Sequence, residues 1–293
     1  MIKIKVPATS ANVGMGYDCL GLAVSMYSEF DFDKSDQVLE AVGFEEKFAN
    51  KNNLVYEAFE KGCQFIGKKT PKVKIEQIKT VPVARGLGSS ATCIVAGLKA
   101  ASIWFGNKIS ADQIASLATE MEGHPDNVVP ATVGGLVISF LKPDKTPEIY
   151  RYNVASNLFF VSIIPNYEVS TDEARKVVPK TMSYKDVTYQ VSHCAMMIKG
   201  IELGNLNLIR ETCIDKMHEP YRAKLIPDYQ KTKETCEKLG SVLYISGSGS
   251  TMMAICDDEK VADNIVTDFS NKFSKWIVEK LNVDLTGVTS EVL

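Results

Sequence analysis

The stretch Pro82-Val83-Ala84-Arg85-Gly86-Leu87-Gly88-Ser89-Ser90-Ala91-Thr92 is the one on which the reading of this chain turns. A strand around Val73-Lys74-Ile75 leads up to it. From Ser89 to Phe105 the apolar residues Ala91, Ile94, Val95, Leu98, Ala101 and Phe105 recur at spacings of three and four, which predicts a helix. Gly86 and Gly88 allow a tight turn and a close approach of backbone to a ligand. The unpaired N–H groups of the helix that follows point outward, with the positive end of its dipole behind them. That is an anion cradle suited to phosphate, and the Ser89 and Ser90 hydroxyls can bond phosphate oxygens or a metal. The run is neither a Walker A sequence nor a dinucleotide fingerprint. Taken alone it reads equally well as a glycine-rich turn with a serine helix cap.

Working outward, Ile2, Ile4 and Val6 alternate with lysines as a strand does, and the small-residue run from Pro7 to Leu22 cannot be a regular helix. Residues 23–33 are strand-like. Asn53 caps a helix reaching Ile66, and Ser110 with Gln113 forms a capping box before a second helix carrying Ile114, Leu117, Ala118 and Met121. Gly134-Gly135 precede a strand at 136–141, and another at 158–164 ends at Pro165. The second half predicts helices over 184–214, 227–239 and 260–276, a hairpin of 241–246 with 251–256 around Gly247-Ser248-Gly249, and a last strand at 283–288. Strands and helices mix without strict alternation, so the class is α+β. The polar stretch 143–153 is the only composition shift near the middle, and it suggests two domains, 1–150 and 151–293.

Composition excludes several functions. The net charge of −3 offers no field for nucleic acid or an anionic membrane. No apolar run approaches the ~20 residues that span a bilayer, and the N-terminus lacks a signal-peptide core. Seven cysteines without a CxxC pair, and three histidines, give no zinc-ligand spacing. Reduced cysteines in a cytoplasmic protein are expected.

Three ordered motifs bring a resemblance. Pro82 to Thr92, the N-terminal run Pro7-Ala8-Thr9-Ser10-Ala11-Asn12-Val13-Gly14-Met15-Gly16-Tyr17-Asp18, and the late run Ser246 to Thr251 together resemble the GHMP kinase superfamily. Within it, the N-terminal run, Glu122-Gly123-His124-Pro125-Asp126-Asn127 and Ser170-Thr171-Asp172-Glu173-Ala174-Arg175 resemble the homoserine kinases. The resemblance implies an N-terminal domain like the second domain of ribosomal protein S5 and a ferredoxin-like C-terminal domain. It implies ATP on the loop 82–92, with Asn53 near the adenine, and Mg2+ on Ser90 and Glu122, although Glu120 competes for the metal. It further implies a hydroxy amino acid, L-homoserine, with its carboxylate on Arg175 and Arg222 and its ammonium opposed by Asp18. Asn12, His124 and Asn127 would orient it, Thr171 would touch the reacting hydroxyl, and no metal cluster is expected at His124. Asn127 stands where relatives carry an Asp base, so no dedicated side-chain base is expected. Another GHMP acceptor of the mevalonate type, or an ATP-binding sensor without turnover, stays open, as does the oligomeric state, a homodimer included. Each residue taken singly also has a plain reading: surface ion pairs for the arginines, turn or helix caps for Asn12, Asp18, His124 and Thr171, and a solvated helix face for the glutamates.

Overall fold

The computed structural model describes residues 1–293. In chain order the elements are β1 (Ile2–Ala11), β2 (Leu20–Lys34), β3 (Leu39–Val42), α1 (Leu54–Phe65), β4 (Val73–Lys79), α2 (Ser89–Trp104), α3 (Ala111–Glu122), α4 (Pro125–Val133), β5 (Leu136–Leu141) and β6 (Pro147–Tyr152). The second half holds β7 (Phe159–Ile164), α5 (Thr171–Lys176), α6 (Tyr184–Leu203), α7 (Leu206–Thr212), α8 (Glu219–Arg222), α9 (Tyr229–Lys238), β8 (Val242–Ile245), β9 (Met252–Cys256), α10 (Glu259–Lys272), β10 (Ile277–Leu281) and β11 (Thr289–Val292).

The strands form two sheets. The first runs β11-β1-β2-β4-β3, with β5 paired to β2 and β6 to β5; the second runs β10-β7-β9-β8. Only β3 and β4 pair in parallel. Mainly antiparallel sheets with helices gathered on their faces make this an α+β, two-domain architecture. After alternating in and out, β1 continues through Pro7 to Ala11 with every side chain buried. Small residues suit a strand covered on both faces.

Three apolar layers result. Phe30 and Phe32 of β2 pack with Phe59, Ile94 and Leu98 under α1 to α4. Leu20, Leu22 and Val24 meet Phe160, Tyr244 and Met253 of the second sheet, together with Met197 and Ile201 of α6. On the far face of that sheet, Ile163, Leu243 and Ala254 pack against Ile265 and Phe269 of α10. The middle layer joins the two sheets, and the functional loops lie along its edge.

The expected caps are present. Asn53 Oδ1 accepts from the amides of Val55 and Tyr56, and Ser110 and Gln113 cap α3 reciprocally. Other expectations need correction. The helical stretch 184–214 is split at Gly204, which caps α6 with φ +64°. The helix expected to reach 276 stops at Lys272, where the Phe273 and Trp276 rings stack 3.9 Å apart and β10 begins directly after. Residues 283–288 are a turn rather than the last strand, because Asp284 Oδ1 accepts from the amides of Thr286 and Gly287 at 2.9 and 2.7 Å. The last strand is β11, which returns to pair with β1. No helix is long and apolar enough to cross a membrane.

Candidate active site

The loop before α2 lies against two others. Gly86 and Gly88 have φ +73° and +68°, the left-handed turn that glycine tolerates. A Cβ on Gly86 would lie 2.1 Å from Ser246 O, and one on Gly88 would lie 2.1 Å from Thr9 Oγ1. The close approach their missing side chains permit is to neighbouring loops, while both glycines also line the cavity in front of α2. Ser246 Oγ donates to Gly86 O at 2.6 Å, and Thr251 N donates to Arg85 O at 3.0 Å. The late Ser246–Thr251 run thus buttresses the loop, as its glycines suggest.

The N-terminus of α2 is capped by Gly88 and receives no side-chain hydrogen bond. The plain reading of a serine cap does not apply, and no side chain takes the first-turn amides. Ser90 Oγ instead donates to Glu122 Oε2 at 2.7 Å. Glu122 ends α3 beside the cradle, whereas Glu120 is exposed and paired with Lys61 at 2.8 Å. A hydroxyl and a carboxylate next to uncapped amides form a hard-oxygen donor set that fits Mg2+ accompanied by phosphate.

A polar cavity opens in front of this group. Among its walls are Ala84, Gly86, Gly88, Ser89, Ser90 and Glu122, together with Asn12, Asp18, His124, Asn127, Thr171, Arg175 and Arg222. A second cavity of about 190 Å³ adjoins it at Ser89 and Ser90 and is mostly apolar, with Phe44, Phe48, Leu54, Val83 and Asn53 in its walls. Phosphates at the serines and a flat base among the phenylalanines would fit this pairing. Asn53 serves as wall and as α1 cap at once: its Oδ1 accepts from the α1 amides, and its Nδ2 donates to Phe48 O at 2.8 Å.

The rest of the 82–92 run has other duties. Leu87, Ala91 and Thr92 are buried under the loop, and Pro82 is half-buried. Arg85 turns away: its Nε donates to Pro165 O at 3.1 Å, Nη2 donates to Asn166 O at 3.3 Å, and Nη1 pairs with Glu168 at 3.4 Å. Its charge fastens the loop after β7 and does not face the cradle.

Among the other lining residues, Asn12 is buried with φ +68°. Its Oδ1 accepts from Asp18 N at 3.0 Å and its Nδ2 donates to Gly247 O at 3.1 Å. It shapes the 12–18 turn and ties it to the 246–251 loop. Asn127 Oδ1 accepts from Thr9 Oγ1 at 2.8 Å, which leaves its amide NH2 to the cavity. Thr171 opens α5 at the rim. Arg222 is buried; it donates from Nη1 to Gly247 O at 2.8 Å and from Nε to Ala174 O at 3.1 Å, and its guanidinium lies 5.0 Å from the Tyr17 ring centre. Burial pulls its pKa below the usual arginine value. Arg175 makes a two-pronged pair with Asp18, Nη1 to Oδ2 at 3.0 Å and Nη2 to Oδ1 at 3.2 Å.

Asp126 is a cavity residue absent from the sequence-derived set. It is buried and hydrogen-bonded to His124 Nδ1. Burial lowers the His124 pKa, but the Asp126 carboxylate outweighs it and the net shift is upward. Asp18, His124 and Asp126 bring ligand-type atoms within 4.8 Å of one another, contrary to the expectation that His124 has no such cluster. The signal was in the motif: His, Asp and Asn within four residues after a helix end are more than a cap requires.

Comparison with known proteins follows the same lines. The family described as GHMP kinases N terminal domain matches residues 53–135, and that described as GHMP kinases C terminal matches residues 197–275. A homoserine kinase from Clostridium beijerinckii is 41% identical over 293 residues, covering 99% of this chain and 98% of its own. One from Clostridium botulinum is 40% identical over 291 residues, covering 98% and 97%. The crystal structure of homoserine kinase from Cytophaga hutchinsonii matches with a TM-score of 0.90 at 28% identity, over 99% of this chain and 97% of that one.

Proposed function

The chain belongs to the GHMP kinase superfamily, and within it to the homoserine kinase family; from that premise we propose that it transfers the γ-phosphoryl group of ATP to the side-chain hydroxyl of L-homoserine, giving O-phospho-L-homoserine on the way to threonine. One observation carries the choice of acceptor: the cavity that Ser90 and Glu122 line is also lined by two guanidinium groups and a carboxylate, Arg175, Arg222 and Asp18. A planar guanidinium suits a carboxylate, and an aspartate suits an ammonium. A neutral sugar would make no use of the Asp18–Arg175 pair, which would stay closed on itself, and a mevalonate-type acid would open it and leave Asp18 without a partner.

Phosphoryl transfer has a loose transition state, so alignment and charge neutralisation supply most of the acceleration. The first-turn amides of α2 would hold the β- and γ-phosphates. Ser90 Oγ and the Glu122 carboxylate would hold Mg2+, which when bound neutralises charge building on the phosphate oxygens. The apolar cavity at Phe44 and Phe48 would take the base. Asn127 would offer its NH2 and Thr171 its hydroxyl to the acceptor oxygen, since both line the cavity. Asn127 cannot accept a proton, so the hydroxyl proton passes to a γ-phosphate oxygen as the new P–O bond forms and the bond from the γ-phosphorus to the leaving ADP oxygen breaks. The seven free cysteines go with a reducing, cytoplasmic setting.

The test is ADP release by the purified protein with Mg-ATP and, in parallel, homoserine, mevalonate, galactose or serine. Homoserine should support the highest kcat/KM by at least about tenfold. ADP release with another acceptor and none with homoserine would overturn the assignment, and none with any of the four would favour an ATP-binding sensor.

A further inference from the structure

We propose that the Asp18–Arg175 pair is an internal stand-in for the two charges of an amino acid, so that a ligand gains entry only by exchanging both charges at once. The proposal rests on the acceptor reading above and adds a source of selectivity to it. The pair is two-pronged, with distances of 3.0 and 3.2 Å, and it uses both Asp18 oxygens and both terminal Arg175 nitrogens. Those are the atoms that an ammonium and a carboxylate would need.

Each partner is held on a fixed backbone. Asp18 is fixed by a positive φ of +56° and by its amide on Asn12 Oδ1. Arg175 stands on α5, which is held down by Arg222 Nε on Ala174 O at 3.1 Å and by Val169 N on Ala84 O at 3.3 Å. Of the charged groups nearby, His124 lies within 4.8 Å of Asp18 but is held by Asp126, and Arg222 donates to Gly247 O and Ala174 O. Both side chains of the pair are about one-third exposed, at 32% and 37%, so the exchange needs no unfolding.

The bookkeeping decides selectivity. A zwitterion breaks one ion pair and forms two. A ligand with a carboxylate alone breaks one and forms one, leaving Asp18 unpaired near Asp126. A ligand with an ammonium alone leaves Arg175 unpaired near Arg222. A charge left unpaired in a partly buried site is costly. The two ends of the substrate therefore act cooperatively, and losing either one should cost nearly as much as losing both.

The test measures affinity for homoserine, 4-hydroxybutanoate, which lacks the ammonium, and 3-aminopropan-1-ol, which lacks the carboxylate, in the native protein and in Asp18→Asn and Arg175→Met. Asp18→Asn should weaken homoserine binding yet strengthen 4-hydroxybutanoate binding about tenfold, or ~1.4 kcal/mol. Arg175→Met should do the same for 3-aminopropan-1-ol. A merely structural pair would weaken every ligand together. ATP affinity close to native in each variant reports an intact fold, and either variant alone suffices. Failure of both variants to bind their one-charge ligand better than the native protein does would overturn the exchange. Failure of the native protein to bind homoserine, with the one-charge gains intact, would overturn the acceptor and leave the exchange standing.

Discussion

Replacing Glu219 by Gln should make the protein more stable above neutral pH and leave it unchanged near pH 4.5. Glu219 begins α8 and is 5% exposed. Its Oε1 accepts from Ile245 N at 2.6 Å and its Oε2 accepts from Tyr229 Oη at 3.2 Å. Burial pushes its pKa from 4.5 up to about 7, with Asp215 adding to the rise while the Ile245 amide, Lys233 and Tyr229 oppose it. Between those pH values the folded chain keeps a proton that the unfolded chain has released. Stability therefore falls as pH rises through the window and stays lower above it, by roughly 3 kcal/mol for a shift of about 2.5 units. A glutamine keeps the acceptor for Ile245 N and turns an NH2 toward the Tyr229 oxygen, so shape is preserved and the titration removed. Urea unfolding from pH 4.5 to 8 should show the two proteins diverging as pH rises, with the variant's midpoint ahead by about 1 M or more at pH 8. Parallel profiles, or a variant that is weaker at pH 8, would refute the reasoning.

The remaining predictions concern the site. Glu122→Gln should lower kcat about a hundredfold or more through the lost charge at the metal position. Glu120→Gln should stay within about twofold, since its pair with Lys61 is exposed and worth at most ~1 kcal/mol; the reverse pattern in kcat would reassign the ligand. Gly88→Ala puts a methyl 2.1 Å from Thr9 Oγ1 at φ +68°, so it should weaken ATP binding and cost at least ~1–2 kcal/mol of stability; calorimetric ATP affinity equal to native would count against the cradle. Arg175→Ala should raise the homoserine KM about tenfold or more with the ATP KM nearly unchanged, and equal rises in both would count against a carboxylate role.

Local chemistry was the most legible part of the sequence. Asn53, Ser110 with Gln113, and the Gly-Ser turn into α2 each announce an element boundary through a hydrogen-bonding need that their neighbours can meet. The hairpin of β8 and β9 was readable from two apolar runs around glycines. Short edge strands were not: β3, β6 and β10 carry mixed, half-exposed residues, and β3 and β10 owe their strand state to partners distant in sequence, β4 and β7. Residues 283–288 look apolar enough for a strand, but the Asp284 side chain captures two amides and wins locally. At the site, residue identities were legible and their roles less so. Arg85 and Asn12 stand in ligand-binding motifs, yet their polar atoms hold protein backbone, because the loops they join are far apart in sequence. Asp126 is harder to single out, since an acid in the first turn of a helix already suits the helix dipole and only its company with His124 and Asn127 points to more.

A crystal grown with Mg2+, a non-hydrolysable ATP analogue and L-homoserine bears most directly on the account. The β- and γ-phosphates should accept from the amides that open α2, with the metal between them and Ser90 and Glu122, and the homoserine hydroxyl should face the terminal phosphorus from the Asn127 side. Nucleotide lodged elsewhere with those amides bare, or an amino acid whose hydroxyl faces away from the phosphate, would contradict it.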